Sequence, residues 1–177
     1  MASSKRSTAR ATSSARTSRE PKATSTSSRT TSTSSLSRRA PARLFSILIA
    51  LGSNLGDRRY HLLRAIHALR EVMRVVRVSS IRETTPVDAP PPNYLNAVVA
   101  GYTSLSPEAL LAALLEIERR HGRVRRGTRN EPRVIDLDLI FHSGHRARTR
   151  ILTLPHPRYR EREFVMTPMR ELRLDWR

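Results

Sequence analysis

The chain has 177 residues, no cysteine and a formal net charge of +18, with 38% of its residues hydrophobic and 5% aromatic. That length suits one domain, or one domain with an appendage. The missing cysteine excludes disulfides and thiolate metal sites, and no apolar run approaches the roughly 18 residues that would cross a bilayer, so no membrane partner is expected.

Residues 1–43 stand apart in composition: they hold 21 Ser or Thr, ten Lys or Arg, and a single acid, Glu20. Such a segment buries too little apolar surface to offset its ordering entropy, and the expectation is a disordered extension ahead of a domain at 44–177. Its net charge of +9 is half of the total, so basicity belongs partly to the tail and partly to the domain. An Arg- and Ser-rich, acid-poor amino end also matches an organelle transit peptide, although the apolar stripe of an amphipathic helix is missing. A basic tail can equally neutralise nucleic-acid phosphates without any fold. The reading taken is an appendage outside the chemistry, on a cytoplasmic protein, with an organelle as the alternative location.

Leu44–Leu51 is nearly all apolar, as for a strand covered on both faces. It runs into Gly52-Ser53-Asn54-Leu55-Gly56-Asp57, whose place between a strand and a helix invites a phosphate-loop reading; the Lys-Ser/Thr ending and the full glycine spacing are absent. Asp57 can cap a helix in which Leu62, Ile66, Leu69 and Met73 recur at helical spacing, with arginines on the other faces. His61 and His67 on this helix read as exposed residues and not as ligands. Val75–Arg82 reads as a second strand. The prolines of Glu83–Asn93 bar it from helix or central strand and make it a stiff loop that can hold a ligand at low entropic cost.

Tyr94–Tyr102 reads as a third strand with Tyr94, Asn96, Val98 and Ala100 on one face. Either an aromatic core residue sits beside an exposed amide, or a flat heterocycle stacks on the ring and is read by an amide that donates and accepts. Ser106-Pro107-Glu108 is a helix start, Leu110, Leu114 and Ile117 form the buried stripe, and Gly122 ends the helix. Glu118, taken alone, reads as an exposed helix acid. With a further strand at 135–141 the order is βαββαβ, a ferredoxin-like α+β sandwich with an antiparallel sheet and both helices on one side.

The last strand carries the candidate chemistry. Ile135, Leu137, Leu139 and Phe141 alternate with Asp136 and Asp138, so two carboxylates point the same way, about 6.6 Å apart along the backbone. Such a pair could share two metal ions and suits Mg²⁺, which fills its remaining positions with water and phosphate oxygens. Arg123, Arg125, Arg126, Arg129 and Arg133 lie just upstream, and guanidinium groups grip phosphate through paired hydrogen bonds. The competing reading makes the acids the wet face of an amphipathic strand beside a solvated basic loop. Residues 142–150 read as turn-like and Ile151–Leu154 as a short strand. Pro155-His156-Pro157 then holds His156 in an extended backbone that suits a nucleotide contact better than a core.

Gly52-Ser53-Asn54-Leu55, Tyr94-Leu95-Asn96, Gly122-Arg123-Val124-Arg125, and Arg133 three residues before Asp136 and Asp138 together resemble the signature of the 6-hydroxymethyl-7,8-dihydropterin pyrophosphokinase family, over about residues 46–172. The resemblance implies transfer of diphosphate from ATP to 6-hydroxymethyl-7,8-dihydropterin with release of AMP, a step of folate biosynthesis. It implies two Mg²⁺ ions on Asp136 and Asp138, and Arg123 and Arg133 in catalysis. Glu118, Arg123, Arg133, His156 and Arg162 would meet ATP, and Thr84, Val87, Tyr94, Asn96 and Phe164 the pterin. Asp88 and Glu131 depart from the family's pattern, and the family usually continues beyond Trp176-Arg177. A monomer without a specific nucleic-acid partner is expected. The rival is a non-enzymatic RNA-binding ferredoxin-like module with a basic tail; it lacks the sheet aromatics of that class and gives no reason for paired acids.

Overall fold

A computed structural model describes residues 43–87, 91–124 and 131–173. The expectations for the amino-terminal extension, for Asp88, for Arg125, Arg126 and Arg129, and for the last four residues fall outside them, Arg43 excepted.

The elements are β1 (Phe45–Ser53), α1 (Arg58–Leu69), β2 (Arg74–Val78), β3 (Arg82–Thr84), β4 (Tyr94–Thr103), α2 (Pro107–Arg120), β5 (Asp136–His142), β6 (Ala147–Arg148), β7 (Thr153–Leu154), a 3-10 turn at Tyr159–Glu161 and α3 (Glu163–Glu171). The main sheet runs β2-β4-β1-β5, with β3 also on β4, and every pairing is antiparallel. This is the expected ferredoxin-like α+β arrangement. Local chemistry sets the helix ends: Asp57 accepts from the Tyr60 N–H at 3.0 Å, and Ser106 Oγ from the Ala109 N–H at 3.2 Å. Gly122 leaves α2 with φ +84°, a conformation a side chain would strain.

β1 is the spine, and its apolar residues serve two cores. Ile49 and Leu51 pack with Leu62 and Leu69 of α1, Leu114 and Ile117 of α2, and Leu137 and Leu139 of β5. Leu48 faces the other way, against Val98, Ala100, Ile140, Val165 and Leu172. α1 and α2 thus share one side as expected, and the second face is covered by a third helix, α3, outside the βαββαβ unit. The amphipathic spacing of Val165, Pro168 and Leu172 is the trace α3 leaves in the sequence.

Three local expectations are corrected. The single strand expected at Val75–Arg82 is broken at Ser79–Ile81, where Ser79 stays tied to β4 by its N–H to Val98 O and by its Oγ from the Val98 N–H, both 2.9 Å. Phe141 does not share a face with Leu139: the register between β1 and β5 shifts between Leu48 and Ile49, so Phe141 pairs with Leu48 and joins the α3 side. Only Thr153 and Leu154 of the stretch from Ile151 form strand, and their partner is Ala147–Arg148, inside a segment expected to be turn. His67 is exposed as expected, but His61 is half-buried.

Candidate active site

β1 lies between β4 and β5, and Gly52 is opposite Asn96 on one side and Asp136 on the other. Asn96, Gly52 and Asp136 thus form one row across three strands, and Val98, Ala50 and Asp138 form the next row on that face. Neighbouring strands are about 4.8 Å apart, which puts the Asn96 and Asp136 backbones about 10 Å from each other. The floor between them carries nothing larger than a methyl group. A Cβ on Gly52 would meet Asn96 Oδ1 at 3.1 Å.

Over this floor opens a cavity of about 690 Å³, lined by each of the residues to which the family resemblance gave a role. β3, β4 and the segment joining them bring Thr84, Val87, Tyr94 and Asn96; α2 and the turn after it bring Glu118 and Arg123. Arg133, Asp136 and Asp138 come from β5 and its approach, and His156, Arg162 and Phe164 from the chain after β7.

Asn96 Nδ2 donates to Thr84 Oγ1 at 2.7 Å, fixing the amide orientation. Asp136 is gripped from two sides, by Arg123 Nη1 on Oδ1 at 2.6 Å and by Arg133 Nη1 on Oδ2 at 3.0 Å. Glu118 is not the exposed acid its sequence context suggested. It is 2% exposed, forms an ion pair with Arg123, and accepts from the Leu137 N–H at 2.8 Å. Its spacing gave this away: four residues after Leu114 and eight after Leu110, it falls on the buried stripe.

Among the described residues Asp138 forms one ion pair, with Arg162 at 3.5 Å. Burial, with repulsion from Asp136 and only partial relief from Arg162, pushes its carboxyl up to about 7. Its side chain keeps 36% of its surface open, onto the cavity. Among the described residues no group of three or more His, Cys, Asp or Glu could cage a metal, so any cation held here takes most of its ligands from water or substrate, as Mg²⁺ does. His156 is held below the usual histidine range by burial and then by Arg162, so its ring is neutral at neutral pH.

Asn54 was passed over as part of a turn. It is 1% exposed; its Oδ1 accepts from the Arg133 N–H at 2.6 Å, its own N–H donates to Arg133 O at 3.1 Å, and Nδ2 donates to Pro92 O at 3.4 Å. Ser53 Oγ adds a bond to Val134 O at 2.6 Å. One amide therefore fixes both the approach to β5 and the loop entering β4. A short Gly-Ser-Asn turn after a buried strand is where a side chain does this work, so the residue type was the available clue. Leu111, Leu115 and Ile151 also line the cavity and give it an apolar wall that charge-based reading did not find.

A family model described as 7,8-dihydro-6-hydroxymethylpterin-pyrophosphokinase matches residues 48–174. The 2-amino-4-hydroxy-6-hydroxymethyldihydropteridine pyrophosphokinase of Bacillus subtilis is 42% identical over 127 residues, 70% of this chain and 75% of that protein. The chain belongs to the pyrophosphokinase family. The Synechocystis pyrophosphokinase is 38% identical over 138 residues, 77% of this chain and 70% of its own. The mitochondrial folate synthesis bifunctional protein of Pisum sativum is 43% identical over 128 residues, which are 71% of this chain. The chain spans about a quarter of the length of the plant bifunctional proteins it matches. Two of the plant relatives are named as mitochondrial. Among the described residues no helix is long and apolar enough to cross a membrane.

Proposed function

We propose that the protein transfers diphosphate from ATP to 6-hydroxymethyl-7,8-dihydropterin, giving AMP and the pterin diphosphate, a step of folate biosynthesis. The observation that carries this is the row Asn96–Gly52–Asp136, which joins a ring-reading amide to a carboxylate pair inside one arginine-lined cavity.

In this reading Tyr94 and Phe164 stack on the pterin, Asn96 reads its edge beside Thr84, and Val87 borders it. The ATP polyphosphate lies along Arg123, Arg133 and Arg162, with His156 as a neutral hydrogen-bonding contact and Glu118 holding Arg123 in place. Asp136 and Asp138 fit Mg²⁺, two ions in our reading, because two carboxylates share a face and both open onto the cavity. When bound, Mg²⁺ supplies charge neutralisation along the polyphosphate and at the attacking oxygen. The pterin hydroxyl oxygen forms a bond to the β-phosphorus while the bond from that phosphorus to the α-phosphate oxygen breaks. The hydroxyl proton leaves to water, and AMP departs with the electron pair. No side chain serves as nucleophile. The protein contributes alignment and fixed positive charge, which is what phosphoryl transfer asks of it.

A monomer without a specific nucleic-acid partner completes the reading, in the cytoplasm, or in an organelle if residues 1–43 act as a transit peptide. The test is AMP formation from ATP that depends on added hydroxymethyl-dihydropterin and Mg²⁺, and that Asp136→Ala and Asp138→Ala abolish. AMP release without the pterin, or salt-sensitive binding of generic RNA with no turnover, would overturn it.

A further inference from the structure

The α3 wall of the cavity has a void behind it. A second cavity, of about 820 Å³, lies between β3 and α3, and Thr84, Val87, Arg162 and Phe164 line it as they line the first. Phe164 packs on the second core from one side only and lines both cavities with the rest of its surface, so the placement of α3 sets where its ring stands relative to Thr84. The second cavity is not itself read as a ligand site, because Arg82 is paired with Glu171, Glu83 with Arg58, and Glu163 with Arg170.

The helix that carries Phe164 depends on tertiary contacts, those of Val165 and of the following Leu172 with the core among them. It has nine residues, and Pro168 inside it has no N–H to offer the carbonyl of Phe164. A helix that short is marginal without tertiary support. At its far end Glu171 provides such support. The Ser80 N–H donates to Oε2 at 2.9 Å, Ser80 Oγ donates at 2.9 and 2.7 Å to the two carboxylate oxygens, and Arg82 Nε donates to Oε1 at 2.5 Å. The Ser80 N–H is free for this because the strand is broken there. Arg77 Nη1 adds a bond to Leu172 O at 3.1 Å. The Ser80 hydroxyl first, and then its N–H and Arg82, hold the Glu171 carboxyl below the usual carboxylate range.

Periodicity connects this clasp to the site. Glu171 lies seven residues after Phe164, two turns along the same helix face, and Arg82 lies two residues before Thr84 on the same strand face. The Glu171–Arg82 ion pair thus joins the same two elements, α3 and β3, that carry Phe164 and Thr84 to the cavity wall. We propose that Glu171 is a positioning residue for the pterin half of the site, its clasp on Ser80 and Arg82 setting the distance from Phe164 to Thr84. This deepens the pyrophosphokinase reading and rests on it.

The experiment compares the full chain with Glu171→Ala, Glu171→Gln and Ser80→Ala. In Glu171→Ala the KM for hydroxymethyl-dihydropterin rises about tenfold while kcat falls less than about threefold, with Glu171→Gln in between. The Kd of a non-hydrolysable ATP analogue moves by clearly less than the pterin KM, because Arg162 is the one residue assigned to ATP that adjoins the loosened turn. Hydrogen exchange at the Val165 and Met166 amides, both bonded to Arg162 O, quickens about tenfold as the first turn loosens. A folded Glu171→Ala with unchanged exchange at those amides overturns the proposal, and so does an equal loss of ATP and pterin affinity. Should Glu171→Ala not fold, Ser80→Ala is decisive: a rise of about threefold in the pterin KM supports the clasp and no rise sinks it. A wild type that makes no pterin-dependent AMP removes the functional reading alone; the clasp is then judged on the exchange data.

Discussion

Asp138 sits where its charge is least comfortable, and that discomfort has a measurable sign. Its folded pKa, about 7, lies above the ordinary 3.8, so its contribution to stability is fully present below about 3.8 and is lost as pH rises through 7. Asp138→Asn should therefore melt higher than wild type by about 3 °C near pH 8, a shift already discounted for the open part of the side chain, and by less near pH 5. Scanning calorimetry across that range checks it; a lower melting temperature at pH 8 would contradict it. The same change should cost at least about 100-fold in turnover, because the site loses charge that the reaction uses. Glu118 behaves in the opposite way. Glu118→Ala leaves the nearly buried Arg123 with Asp136 alone and the Leu137 N–H without its acceptor, at a cost of about 1–3 kcal/mol in urea denaturation, and Glu118→Gln should recover part of it. Strand alternation was enough to place Asp136 and Asp138 side by side. It could not show that Asn54 would replace a backbone partner for Arg133, since that bond joins residues 79 positions apart.

Elements were legible where their period is unbroken. β1, α1, β4 and α2 each carry a clean apolar pattern and a cap or a turn at their ends, and each stands within a few residues of its expected position. The exceptions all have local causes. Ser79 Oγ takes the Val98 N–H and the Ser80 N–H turns to Glu171, which splits a strand, a β-bulge turns Phe141 over, and Pro168 disguises a helix. β2 also depends on one close approach. A Cβ at Gly101 would lie 2.0 Å from Arg74 O and 2.7 Å from Met73 Cε, so Gly101→Ala must push β2 off β4. The expected loss is about 3 kcal/mol or more, read as a lower urea midpoint or as insoluble protein. A stability within about 0.5 kcal/mol of wild type would mean that the β2 edge yields freely.

For the molecule as a whole, charge and catalysis should separate. Removing residues 1–42 takes away a net +8 of the chain's +18 and no residue assigned to the cavity. A chain beginning at Arg43 should keep its kcat/KM within about twofold, and its retention on a polyanion column should fall steeply with added salt at a lower concentration than that of the full chain. A loss of turnover on removal would give the tail a part in the chemistry. The row of Asn96, Gly52 and Asp136 carries the last consequence. The span from Asn96, the proposed reader of the heterocycle, to the first carboxylate is counted in strands, so the sheet serves as a ruler whose graduations are backbone hydrogen bonds. Loop motion can admit or release a ligand, but it cannot recalibrate that length. A pterin whose reactive oxygen sits one bond further out should still bind and should turn over poorly.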